Sequence, residues 1–72
     1  MNAGDRMDLL TPKQIEVARY VGRGMSNKLI ARQLNLSEGA IKKHLQLIFA
    51  KMGVRNRTAL AMLVARMMKA AE

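Results

Sequence analysis

Between Leu10 and Met68, apolar residues recur at three- and four-residue spacing in four separate runs, with capping residues at their edges. This pattern predicts an all-α chain. The first run opens with Thr11 as N-cap, Pro12 at the first helical position and Gln14 three residues after the cap, a capping-box arrangement. It is expected to run to about Arg23 and stop at Gly24, burying Val17, Ala18 and Val21 with Tyr20 at the edge. Ile15 falls on the far side, as a lone surface residue or a contact for a neighbouring domain. The last run starts near Arg57, with Asn56 as its cap, and continues to about Lys69. Leu60, Ala61, Val64 and Met68 make one stripe along it, while Ala59, Met62, Leu63 and Arg66 cover much of another. A terminal helix that is apolar on more than one side needs a second partner, so these last four are the candidate dimer interface. Residues 1–8 lack apolar periodicity and contain Gly4, which reads as a flexible tail or linker remnant ahead of one folded unit over residues 9–70.

The two middle runs are the informative ones. A short helix over about Asn27 to Leu34 starts where Ser26 can accept from a first-turn N–H; it buries Ile30, Ala31 and Leu34 and turns Lys28 and Arg32 outward. Asn35-Leu36-Ser37 then forms a tight turn. Asn tolerates the left-handed conformation that closes a helix, Leu36 points back to the core, and Ser37 caps a longer helix over about Glu38 to Met52. Around that helix Ile41, Leu45, Ile48, Phe49 and Met52 gather on one arc, and Gly39, Lys43, Gln46 and Ala50 gather opposite, with Lys42 and Leu47 on the flanks. Gly53 supplies the left-handed stop, after which Val54 packs back. Two helices joined by so short a turn, the second held by one apolar arc and showing Lys, Lys and Gln on the other, form a helix-turn-helix suited to a DNA major groove.

The words LTPKQIEV (Leu10 to Val17), GMSNKLIARQL (Gly24 to Leu34), LSEGAIKKHL (Leu36 to Leu45) and IFAKMGVRNRT (Ile48 to Thr58) occur in an order and spacing that is specific taken together. Over roughly three-quarters of its length the chain resembles the C-terminal DNA-binding domain of LuxR/FixJ/NarL-type transcription factors. The resemblance implies a four-helix fold of the LuxR-type C-terminal effector class, whose third helix reads DNA and whose fourth pairs two copies. It also implies a transcription regulator, usually a response-regulator output domain with a receiver or sensor domain upstream, acting as a homodimer on inverted or direct half-sites. Lys42, Lys43 and Gln46 match the family's base-reading positions. Lys can donate to guanine O6 and N7, and Gln can pair bidentately with adenine, so the residue types suit that role. The chain departs from the family at Leu29, where Glu is usual, at Ala40, where Thr is usual, and at Ala59, where Glu is often found. The first loses a salt bridge, the second a hydroxyl that could reach phosphate, and the third makes the fourth helix more apolar.

Composition and charge narrow the alternatives. Seventy-two residues allow one small domain and no enzyme cleft. Thirteen Lys and Arg against five Asp and Glu give a net charge of +8, which attracts polyanions whatever the fold. One Tyr, one Phe and no Trp leave no aromatic platform for single-stranded nucleic acid, so double-stranded DNA is the expected partner. With no Cys and one His, neither a metal centre nor a cofactor is expected. No apolar run is long enough to span a bilayer, and a cytoplasmic location is expected.

Ser26, Asn27, Lys28, Ser37, Lys51, Arg57 and Thr58 are candidate phosphate contacts, at helix starts or as cations beside the groove. His44 lies at the border of the core arc, where a hydrogen-bonded packing role is expected rather than a ligand role. Glu38 in a first helical turn favours the helix dipole. The seven Met residues are read as core or interface filler. The rival readings are a sigma-factor-like promoter-reading module, a helical protein-interaction module without DNA specificity and, more distantly, a cationic membrane-surface peptide. Duplex binding with a steep salt dependence and a sequence preference separates the DNA-regulator reading from the last two.

Overall fold

A computed structural model describes the backbone of residues 7–71 and the side chains of residues 7–69. Helices α1 (Pro12–Gly22), α2 (Asn27–Leu34), α3 (Glu38–Met52) and α4 (Arg57–Ala71) follow one another, and no strand occurs among the described residues. Of the expected tail, residues 1–6 lie outside the described residues. Met7 and Asp8 belong to a 3-10 turn over residues 7–9, closed by Leu10 N–H donating to the Met7 carbonyl at 3.1 Å, and Met7 packs half-buried on the core.

The helix boundaries follow from local chemistry. Thr11 Oγ1 accepts from Gln14 N at 3.2 Å while Gln14 Oε1 accepts from Thr11 N at 3.1 Å, so two first-turn donors of α1 are satisfied reciprocally. Ser26 Oγ accepts from Leu29 N at 3.2 Å, Ser37 Oγ from Ala40 N at 3.0 Å, and Asn56 Oδ1 from Ala59 N at 2.8 Å. At the other ends, Asn35 (φ 56°) and Gly53 (φ 69°) adopt the left-handed conformation. In both cases the next residue's N–H donates five residues back, Leu36 to Ala31 at 2.9 Å and Val54 to Phe49 at 3.1 Å. The turn between α2 and α3 is thereby hydrogen-bonded at both ends, which sets the angle at which α3 leaves.

Packing joins α1 to α4 and to α3, and α2 to α3. Val17, Val21, Ile30, Ile41, Ile48, Leu60 and Val64 are completely or almost completely buried at the centre. α1 and α4 approach so closely at Gly22 that a Cβ there would lie 2.9 Å from Val64 Cγ1, so a larger residue would force the buried Val64 to shift.

Three expectations change. Leu63, assigned to a second apolar face, is half-buried and packs on the core with Met67 and Met68. Residues 60, 63, 64, 67 and 68 follow the i, i+3, i+4, i+7, i+8 rule, so the inward stripe of α4 runs through Leu63. Met62 is the large apolar residue that α4 leaves in solvent, 62% exposed. Ile15 is half-buried against the core, not on an outer face. His44 is also half-buried, but its Nδ1 is a buried atom with no hydrogen-bond partner among the described residues, so the hydrogen-bonded role expected for it is not seen at that atom.

Candidate nucleic-acid interface

The apolar arc of α3 is anchored by Ile41, Leu45, Ile48 and Met52, each at most 5% exposed, with Phe49 half-buried beside them. That anchoring dictates what faces out. Gly39, Lys42, Lys43, Gln46, Leu47 and Ala50 are all exposed. The three candidate base-reading side chains, Lys42, Lys43 and Gln46, therefore project from one side of one helix, where the burial of the other side holds them in register.

Tertiary structure adds residues from other elements to this face. An open groove of about 390 Å³ beside α3 is lined by Lys42, Gln46 and Phe49 together with Asn27 from α2 and Arg55 and Arg57 from the α3–α4 connection and the start of α4. A second groove of about 480 Å³, at the turn between α2 and α3, brings together Lys28, Arg32, Asn35 and Glu38. Among the described residues the one ion pair is Lys13 with Glu16 at 3.5 Å, on the exposed side of α1. The first groove has three cations and no carboxylate in its lining, and in the second Lys28 and Arg32 outnumber Glu38, which leaves a net positive field where a polyanion would lie. Glu38 is in the first turn of α3, where its charge suits the helix dipole, and it makes no ion pair with Lys28 or Arg32.

The candidate phosphate residues divide into two groups. Ser26, Lys28, Ser37 and Thr58 are exposed near helix starts, the two serines already serving as N-caps. Lys51, Asn27 and Arg57 are half-buried and bonded within the protein. Lys51 Nζ donates to Gln14 Oε1 at 2.9 Å, joining the last turn of α3 to the capping box of α1 through a glutamine that is 4% exposed. Arg57 donates through Nη1 to Asn27 Oδ1 and through Nη2 to the Met25 carbonyl. Arg55 and Arg32 are groove cations that a reading by helix starts passes over. For Arg55 the available signal is its place two residues after Gly53, in the turn that leaves the exposed helix.

Ser37 sits where α3 begins, so its substitution tests the geometry of the turn. Ser37→Ala is expected to lower stability by about 0.5–2 kcal/mol through loss of the cap, measured by thermal melts followed by circular dichroism. A variant that melts with the wild type would show that the bond to Ala40 N carries no weight.

Comparison with known proteins agrees with this architecture. The family described as bacterial regulatory proteins, luxR family (GerE), matches residues 8–64. The chain is 54% identical over 52 residues to the monoamine regulon transcriptional regulator of Klebsiella aerogenes, covering 72% of this chain and 23% of that protein. It is 54% identical over 50 residues to the HTH-type transcriptional regulator AlkS of Ectopseudomonas oleovorans, covering 69% of this chain and 6% of that one. Against the nitrate/nitrite response regulator protein NarP of Escherichia coli K12 it is 37% identical over 59 residues, covering 82% and 27%. The chain thus spans about a quarter or less of the length of these relatives. Both the extent of the family match and the four-helix arrangement lead to one assignment: the chain belongs to the luxR family of bacterial regulatory proteins, as a helix-turn-helix DNA-binding domain.

Proposed function

We propose that α3 enters the major groove of duplex DNA and reads base edges through Lys42, Lys43 and Gln46. The observation that carries this is the division of α3, one side sunk in the core and the other offering three exposed hydrogen-bonding side chains. An α-helix fits a groove about 12 Å wide, and these side chains reach the guanine and adenine edges displayed there. Lys28, Ser26, Ser37, Thr58 and Arg55 lie alongside, as exposed donors for the flanking phosphates that set register. The domain itself performs no chemistry; its role is to place a regulator on a chosen sequence.

Recovery of bound sites from random duplex DNA, followed by titration of the selected duplex over a range of salt, tests this reading. A recurring half-site and an affinity that falls steeply with salt are expected. Equal affinity for selected and random duplexes would refute sequence reading.

The rest of the regulator is part of the same proposal. The domain acts in the cytoplasm; among the described residues no helix is long and apolar enough to cross a membrane. In the full-length regulator a receiver or sensor domain precedes it and supplies the signal. Two copies pair on DNA through the outer side of α4, around exposed Met62 and Arg66 and half-buried Ala59, with Leu63 at its inner border. Met62→Asp places a charge on that side without entering the core, since Met62 is 62% exposed. It is expected to abolish cooperative binding to a two-half-site duplex while leaving single-site affinity unchanged. Retained cooperativity in the folded variant would remove α4 as the pairing surface.

A further inference from the structure

We infer that Arg57 is a positioning residue for the DNA-facing entry of α2, and not a phosphate ligand, an inference that rests on the DNA-binding reading above. α2 packs chiefly on α3, and α4 chiefly on α1, so the start of α4 and the start of α2 belong to different packing pairs. Among the described residues one side chain hydrogen-bonds between them. Arg57, the first residue of α4, directs Nη1 to the side-chain oxygen of Asn27, the first residue of α2, and Nη2 to the backbone carbonyl of Met25. Its two acceptors flank Ser26, the N-cap of α2. The fork therefore grips both sides of the cap that orients the first turn of α2, and Lys28 follows immediately in that turn.

Two properties of this bracket set it apart from a surface cation awaiting phosphate. Arg57 and Asn27 are half-buried, whereas Lys28, Lys42, Gln46 and Arg55 around them are exposed. A guanidinium is planar, with donors in a fixed fork, so it can satisfy two acceptors at once in one geometry. A lysine in its place keeps the charge but presents a compact ammonium on a flexible stem that does not reproduce the fork. Arg57, Asn27 and the Lys42–Gln46 side of α3 line the same groove, so a shift of the α2 entry would change the surface that DNA would meet.

The test uses Arg57→Lys, Arg57→Ala, Asn27→Ala and the Asn27→Ala/Arg57→Lys double variant. Binding to the selected duplex is measured over a salt series well below the melting temperature, with circular dichroism recorded for each variant. A positioning role predicts that Arg57→Lys loses affinity as Arg57→Ala does, by roughly tenfold, the weight of one hydrogen bond to a charged group. It predicts that Arg57→Lys keeps the wild-type salt slope, and that adding Asn27→Ala to it costs nothing further. A folded Arg57→Lys that binds as tightly as wild type would overturn the inference, since preserved charge would then suffice. Additive losses in the double variant would overturn it equally, because the two side chains would be acting separately. If Arg57→Ala does not fold, the lysine variant and the double-variant comparison still decide. Failure of the wild type to prefer the selected duplex would refute the DNA-reading proposal itself, a result visible before any variant is compared.

Discussion

Replacing Ile41 by Ala is expected to destabilise the domain by about 2–5 kcal/mol, the range for deleting a fully buried aliphatic side chain. Ile41 is 0% exposed and sits in the first half of α3, where it holds the reading helix against the core. A domain of this size has total stability toward the low end of about 5–15 kcal/mol, so such a loss is a large fraction of the whole. With a Tm shift of roughly 4–8 °C per kcal/mol for a small domain, melts followed by circular dichroism resolve the effect readily. DNA affinity measured near physiological temperature should fall with the folded fraction. On cooling, affinity should recover, because Ile41 faces away from the proposed groove surface. A Tm within a few degrees of wild type would mean that the centre of the core lies elsewhere.

The second large effect concerns specificity. Lys43→Ala is expected to cost about 1–3 kcal/mol on the selected duplex and to relax preference at one base position, because a base-edge donor carries sequence information. Lys28→Ala, by contrast, should weaken selected and random duplexes alike and reduce the salt slope by about one, as a lost phosphate contact does. The two lysines carry the same charge and are both exposed, so the difference arises from where each stands: Lys43 on the outer side of α3, Lys28 at the groove formed by the α2–α3 turn. Parallel losses for both variants on both duplexes would dissolve the division between reading and positioning contacts.

Where prediction and structure agree, the physics is short-ranged. Thr11, Ser26, Ser37 and Asn56 each accept from an N–H three residues ahead, and Asn35 and Gly53 each close a helix through bonds within five residues. Such bonds depend on residue type and spacing alone, which is why the starts of all four helices and the turn between α2 and α3 could be read from the chain. The outer side of α3 was legible for a related reason. When one arc of a helix is strongly apolar and its opposite is polar, burial of the first leaves no choice for the second.

By itself the sequence determined the four helices, their caps, the turn that defines the helix-turn-helix and the side chains that α3 presents. Tertiary structure alone decided how wide the inward side of α4 is: the stripe through Leu60 and Val64 that the sequence shows is buried, but periodicity gives an angle around an axis, not how far the packing extends to either side of it. Packing on the core took in Leu63 and Met67 and left Met62 in solvent. Tertiary structure alone also decided the partners of the long cationic side chains. Lys51 meets Gln14 across 37 residues of sequence and Arg57 meets Asn27 across 30, so side chains that helix position alone had offered to phosphate also have acceptors within the protein. A long, flexible cation takes whichever acceptor the packing brings within reach, and that proximity is a property of the assembled core, not of any local stretch of the chain.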